Sequence, residues 1–423
     1  MKSIMAAIGW LIPSRLFYTV SQWVMLMAVA RITDLATVGA YGLALGITTL
    51  VFRLLEFGMS QSANIDHNQD TSDEDYIFLR NALSVIGIII CCVTGLVVFR
   101  GQLVGLLIAT MSISKAVETQ TTLTYAFFRR SDRVDYMAQS LVLRGLLGAL
   151  SFVGILYTTG SLIWALFGLA ASWLCVAFLL DHRRLQIGFW TKSDPVSPAQ
   201  IFTTYVKRLR SSHELALQLM PLAIAGAAAY GTGVIPRVML EAYSSSDMVG
   251  IFTAIFYPLQ AGSLILLSLN QVFLGPMSSA LQKGKIIRGL KMFILLSALI
   301  GVSCIFGLLF IVFAGKPFLK LAYGFEYAFY DDQLLFLALA WIPRYFGSAF
   351  KAITVSLRMF KETLWSNVAM FSVTGVASIY FIPHLGLNEA IWTVSIGHIT
   401  FFVISALTAT LALVQARKRM RPT

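Results

Sequence analysis

Six cationic side chains, Arg15, Arg53, Lys115, Arg144, Arg344 and Lys351, lie near the middle or in the inner half of stretches otherwise apolar enough to sit in lipid. A lone Arg or Lys at bilayer depth costs about 3 kcal/mol on insertion scales, so six facing lipid would cost roughly 15–20 kcal/mol. They must therefore face a polar interior. Arg suits phosphate because its planar fork makes two parallel charge-assisted hydrogen bonds. A surplus of buried cations calls for a buried anion during part of a working cycle, and a diphosphate would satisfy several together. The chemistry these residues suggest is the holding and carriage of an anion.

Their neighbours divide them into groups. Arg53 with Glu56, and Lys115 with Glu118, are i,i+3 pairs that can neutralise themselves within a packed bundle. Arg144 lies close enough to the inner end of its helix to snorkel. Arg15, Arg344 and Lys351 have no local acidic partner and are the better candidates for contact with substrate. Each cation has polar companions on its own helical face. Tyr18 and Gln22 follow Arg15, Ser60 and Asn64 follow Glu56, Thr121, Thr122 and Tyr125 follow Glu118, Ser151 follows Arg144, and Ser348 lies between Arg344 and Lys351. A helix polar along one face and apolar elsewhere suits a wet cavity.

The elements that position these residues must be membrane helices. The chain has 423 residues, 57% hydrophobic and only 12% charged, with a mean hydropathy of +0.77; no soluble domain of that size could hide so much apolar surface. Twelve stretches reach spanning length: 4–31, 38–63, 81–99, 103–127, 136–158, 161–180, 215–236, 248–280, 292–315, 333–357, 365–383 and 389–414. The first is too long for a signal-peptide core and is read as a retained span. With the N-terminus inside, the outer connections hold only Arg31, Arg100, Arg237, Lys316 and Lys320 of the 32 Lys and Arg. Apart from the six intramembrane cations, the rest fall on the inner side, so both termini are expected in the cytoplasm. The net charge of +12 is then mostly a topology signal, with no nucleic-acid partner implied. Cys91, Cys92, Cys175 and Cys304 fall within apolar spans and read as packing residues; no zinc site, phosphate loop or nucleophile motif is present, and no cofactor is expected.

The fold class expected is all-α integral membrane, in two six-helix lobes. The basic, proline-containing connection 181–214 separates an N-terminal lobe, 1–180, from a C-terminal lobe, 215–414, followed by a basic tail, 415–423. The halves match weakly but in order. Pro13 and Pro221 open their first helices; Asp34 through Val38-Gly39-Ala40-Tyr41 matches Ser245 through Val249-Gly250-Ile251-Phe252; Arg133 to Gly145 aligns with Thr363 to Gly375. Six helices return the chain to its starting side, so the repeats are parallel, which puts a site at their interface near the midplane. Proline-interrupted helices, chiefly the first and seventh, are the pointers to it.

Three stretches resemble the polysaccharide transporter family, the flippases for lipid-linked oligosaccharide units within the multidrug/oligosaccharidyl-lipid/polysaccharide exporter superfamily. They are Ala30–Asp34 through Val38–Gly42 to Leu54–Gly58; Tyr125–Arg130 with Asp135 and Tyr136; and Leu321–Tyr327. The resemblance implies two lobes forming a V around a cationic cavity and alternating access. It implies carriage of an undecaprenyl-pyrophosphate-linked oligosaccharide from the cytoplasmic to the outer leaflet of a bacterial inner membrane, for O-antigen, capsule or exopolysaccharide. It further implies a non-enzymatic protein in contact with membrane lipid, coupling to protons or sodium, and association with polysaccharide polymerase machinery. Glu56, Glu118 and His398, with Glu389, are the groups that could titrate for coupling. A lone His on such a helix is more often a satisfied contact than a proton carrier.

Two other classes remain open. A multidrug cation exporter of the same superfamily would want acidic cavity residues where this chain has basic ones. A glycan polymerase or ligase would want a large outer loop with polar groups, whereas the longest outer connection, 315–332, is short and aromatic.

Overall fold

Short polar caps start the helices that carry the site. Asp34 accepts a hydrogen bond from Thr37 N at 2.9 Å at the start of the helix Leu35–Leu55, and the Thr37 contacts hold its carboxyl below the usual carboxylate range. Ser72 accepts from Asp75 N at 3.1 Å at the start of the helix Asp73–Val93, where Asp73, Glu74 and Asp75 fill the first turn and oppose the helix dipole. Ser245 accepts from Met248 N at 3.4 Å at the start of the helix Ser246–Gln282.

The computed structural model describes residues 2–65, 72–188, 215–217, 219–357 and 359–419. Asp66, Asp70, most of the basic connection (189–214) and the last residues of the tail (420–423) lie outside the described residues, as does the side chain of Asn64. Regular structure among the described residues is entirely helical. The helices are α1 (Lys2–Ile32), α2 (Leu35–Leu55), α3 (Met59–Ile65), α4 (Asp73–Val93), α5 (Leu103–Arg130), α6 (Val134–Thr159), α7 (Leu162–Val176) and α8 (Arg183–Gly188). They continue as α9 (Leu219–Gly231), α10 (Ile235–Tyr243), α11 (Ser246–Gln282), α12 (Ile286–Ala322), α13 (Asp331–Ser356), α14 (Phe360–Leu385) and α15 (Leu387–Arg419). A π-helical turn, Ala177–His182, joins α7 to α8.

Seven described helical spans are long and apolar enough to cross a membrane, and α9 with α10 make an eighth if they are one span bent by 46°. Of the twelve expected, α1, α5, α11 and α13 are long but not among these. Three of them bear intramembrane cations: Arg15 on α1, Lys115 on α5, and Arg344 with Lys351 on α13. Polarity that lowers a helix's hydropathy is what a helix lining a wet interior requires.

The chain forms two compact units, one of residues 1–33 and 43–227, the other of residues 34–42 and 228–423. In the first, α1 packs along α6, α6 on α7, and α4 and α7 on α5. In the second, α13 lies between α11, α12 and α15, and α14 packs on α15. Large apolar side chains remain exposed along α12, including Ile294, Ile305, Phe306, Phe310 and Phe313, as expected where lipid is the solvent.

Candidate functional site

The first unit gathers arginines around one carboxylate. At the end of α2 the chain turns through two left-handed residues, Phe57 (φ 51°) and Gly58 (φ 64°), into α3. The turn leaves Glu56 with its carbonyl and carboxylate presented to neighbouring helices. Arg53 Nη1 donates to Glu56 Oε2 at 2.8 Å, and Ser60 Oγ donates to Oε1 at 3.3 Å. Arg80 on α4, only 1% exposed, donates from Nη2 to the Glu56 carbonyl at 3.2 Å. Arg129, near the end of α5, has Arg15 and Glu56 as its charged neighbours. Three guanidiniums from three helices, those of Arg53, Arg80 and Arg129, therefore share Glu56, with Arg15 beside Arg129 and with Nε of Arg80 and of Arg129 buried and unpartnered.

One helical face further on, Lys115 Nζ meets Glu118 Oε2 at 2.7 Å, and Tyr18 donates to Oε1 at 3.4 Å. Both i,i+3 pairs thus close as their spacing suggests. Glu118 also has Arg144 and Arg53 as cationic neighbours.

Arg144 does not snorkel. It is 1% exposed, donates from Nη1 to Thr121 Oγ1, and lies 4.6 Å from the centre of the Trp173 ring. Trp173 Nε1 in turn donates to the Arg144 carbonyl at 3.2 Å. Nearby, Tyr125 OH donates to Ser140 Oγ at 2.8 Å and Ser140 donates to Asp181 Oδ2 at 2.9 Å. Asp181, 2% exposed in the π-helical turn, supplies this cation with a buried counter-charge.

In the second unit Arg344 and Lys351 lie two turns apart on one face of α13. Arg344 Nη1 approaches Met370 Sδ at 3.4 Å and its guanidinium lies 5.5 Å from the Trp341 ring. Neither cation pairs with a carboxylate among the described residues. His398 is 1% exposed; its Nδ1 is 2.9 Å from the Ala340 carbonyl and its ring packs edge-on to Trp341 at 5.2 Å.

The structure thus pairs Arg53 with Glu56 and sets Arg15 beside Arg129 in one unit, brings Arg344, Lys351 and His398 together in the other, and buries Arg144. Sequence reasoning missed Arg80, Arg129 and Asp181, assigning each to a connection. The Ser72-Asp-Glu-Asp cap was the available signal for Arg80. It starts α4 eight residues before the hydropathy stretch and puts Arg80 inside the helix.

Solved transporters share this fold: an inward-facing multidrug resistance MATE family transporter of the MOP superfamily matches with a TM-score of 0.77 at 14% identity, over 95% of this chain and 96% of that one.

 A MOP-superfamily transporter from Pyrococcus furiosus, whose binding pocket has reversed polarity suggesting a different function, matches with a TM-score of 0.68 at 14% identity, over 97% and 96% of the two chains. Residues 4–282 match the model of the polysaccharide biosynthesis protein family, and the chain belongs to that family. The capsular polysaccharide biosynthesis protein CapF of Staphylococcus aureus is 23% identical over 378 residues, covering 89% of this chain and 91% of CapF.

Proposed function

We propose that this protein is a flippase that moves an isoprenoid-pyrophosphate-linked oligosaccharide from the cytoplasmic to the outer leaflet of a bacterial inner membrane. The observation that carries this reading is the group of Arg53, Arg80 and Arg129 around the carboxylate and carbonyl of Glu56, with Arg15 beside Arg129. These four cations outnumber the carboxylates beside them, Glu56 and, near Arg53, Glu118, and the buried share of that surplus is costly unless paired. A diphosphate offers several oxygens to bidentate guanidinium forks and would restore the balance. The unpaired Arg344 and Lys351 supply further cations in the second unit. The sugar would cross in a wet interior while the isoprenoid tail stays in lipid, with alternating access moving the head group and no bond made or broken. Glu56 and Glu118, each already ion-paired, are the carboxylates whose release by substrate could couple transport to protons or sodium.

The fold likeness to multidrug MATE transporters favours one rival, a drug exporter of the same superfamily. Organic cations would have to enter an arginine-rich group, which opposes that reading.

Deleting the gene in its host and following lipid-linked glycans in both leaflets tests the proposal. The expected result is full-length lipid-linked units accumulating on the cytoplasmic face, with surface glycan lost. Single units accumulating on the outer face would indicate a polymerase, and unchanged glycan with altered drug sensitivity would indicate the exporter.

A further inference from the structure

The flippase reading leaves the buried Arg237 unused. Arg237 is 4% exposed on the second residue after the proline-adjacent start of α10, and its Nε has no partner. No ion pair reaches it among the described residues. Glu241, one turn along α10, instead accepts from Ser246 Oγ at 2.8 Å. The ionisable groups that act on Arg237 are two phenols, Tyr230 and Tyr257, neither of which supplies a carboxylate.

The setting of Arg237 is specific. The seventh span breaks between α9 and α10, bending by 46°, so α10 begins within the span. Nine residues of α10 at about 1.5 Å each put that start about 13 Å from the helix's far end. The first N–H groups of a helix and its dipole favour an anion, and broken membrane helices commonly direct such a terminus at anionic substrate. No side chain caps this terminus. Gly233, in the break, lies against the Phe256 ring; a Cβ there would come within 2.7 Å of it. The Arg237 guanidinium sits 4.8 Å from the centre of that same ring and 5.7 Å from that of Phe252. Phe256 packs edge-on to Trp341 at 5.3 Å, and Arg344 lies over Trp341. A row of aromatic rings therefore connects Arg344 with Arg237 inside one unit.

We infer that the break between α9 and α10, with Arg237 and the uncapped start of α10, is a second anion site, which takes the phosphate groups of the substrate. Aromatic faces attract the guanidinium without neutralising it, so a positive helix end and a buried Arg both remain open to one anion. The inference rests on the flippase reading for its role. With the N-terminus inside, the site is in the outer half of the second unit, on the release side, while Lys351 lies toward the inner end of α13. In the conformation described here the site is closed over by Phe252 and Phe256, and it must open to receive its ligand.

The test uses the full-length protein with farnesyl diphosphate, a soluble isoprenoid diphosphate, as probe, and proteoliposomes carrying the lipid-linked unit. Arg237→Gln should weaken farnesyl diphosphate binding to the outward-open protein by about ten-fold or more, the loss of a charge-assisted contact. It should slow delivery to the outer leaflet, and Arg237→Lys should recover part of both because it keeps the charge and loses the fork. Circular dichroism and elution volume identify variants that fail to fold, and Arg237→Lys serves where Arg237→Gln does. Wild-type protein that binds the probe, with both variants binding and delivering as well as wild type, overturns the second site. Wild-type protein that binds the probe but moves no lipid-linked unit overturns the flippase reading while Arg237→Gln still decides the anion site.

Discussion

Gly39 on α2 and Gly250 on α11 face each other with no side chain between the two backbones. A Cβ on Gly250 would lie 2.5 Å from the Leu35 carbonyl oxygen and 3.1 Å from Gly39 N; one on Gly39 would collide with the Ser246 carbonyl oxygen and lie 3.1 Å from Gly250 N. The contact is reciprocal, each glycine admitting the first turn of the other helix. The two segments are also those whose sequences match, each opening with a capped turn at Asp34 or Ser245. Small residues at such contacts let membrane helices approach closely where no hydrophobic drive separates packing from lipid.

Replacing Gly39 or Gly250 by Ala should therefore destabilise the protein by about 1–3 kcal/mol, the usual cost of overpacking. Gly39→Ala should cost more, because its Cβ would approach the Ser246 carbonyl oxygen more closely than one on Gly250 approaches that of Leu35. The midpoint of thermal unfolding in detergent measures both. Equal stability to wild type in both variants would mean that the helices separate without penalty.

Glu56→Gln removes the carboxylate shared by Arg53, Arg80 and Arg129 while keeping its shape. The remaining cations repel one another more, so the protein without ligand should lose stability, by about 1–3 kcal/mol for a partly buried pair broken on one side. Anion binding should move the other way, with farnesyl diphosphate bound several-fold more tightly, because the ligand no longer competes with an internal carboxylate. Tighter binding with slower flipping is the expected signature. Weaker binding in this variant would show that Glu56 organises the arginines for substrate rather than competing with it.

The all-helical membrane class and the cationic faces were legible in the sequence because both depend on local spacing: hydropathy over a span, and i,i+3 or i,i+7 positions on a helix. The pairs Arg53–Glu56 and Lys115–Glu118 are of that kind. The gathering of Arg80 and Arg129 on Glu56 was not legible, because it joins α4 and α5 to the end of α2 through tertiary packing. A hydropathy window also trims the polar ends of helices, so Arg80 and Asp181 fell into connections although both are buried. Arg144 looked free to reach water because its distance from the helix end says nothing of Trp173 and Thr121 lying across its path.

Arg144 and Asp181 should behave as structural partners. Arg144→Met leaves buried Asp181 with Arg184 as its remaining cationic neighbour, and Asp181→Asn leaves Arg144 with Glu118 as its carboxylate neighbour beside Thr121, Trp173 and the hydroxyl chain. Removing one member of a buried charged set typically costs about 3–5 kcal/mol, more than removing both together. The double variant Arg144→Met with Asp181→Asn should therefore unfold at a higher temperature than either single variant. If Arg144 instead held substrate, the double variant would fold well and still lose farnesyl diphosphate binding.

Lys115 and Glu118 pose the same question for coupling. Their side chains meet at 2.7 Å, with Tyr18 on the other carboxylate oxygen, so either single neutral variant strands a charge. Glu118→Gln should be less stable than wild type, and adding Lys115→Met should restore most of the loss, giving a coupling energy of about 1–3 kcal/mol in a double-mutant cycle. Stability alone cannot separate a packing pair from a coupling pair, but transport can. A pair that only packs leaves the double variant flipping at the wild-type rate and still accelerated by an imposed proton or sodium gradient. If Glu118 carries the coupling ion, the double variant should be as stable as wild type and bind farnesyl diphosphate normally, yet its flipping should no longer respond to the gradient. Because Glu118 lies among the cations of Lys115, Arg53 and Arg144, an arriving diphosphate would compete for the same charges. The coupling outcome is therefore expected, and a double variant whose flipping still follows the gradient would move that role to Glu56.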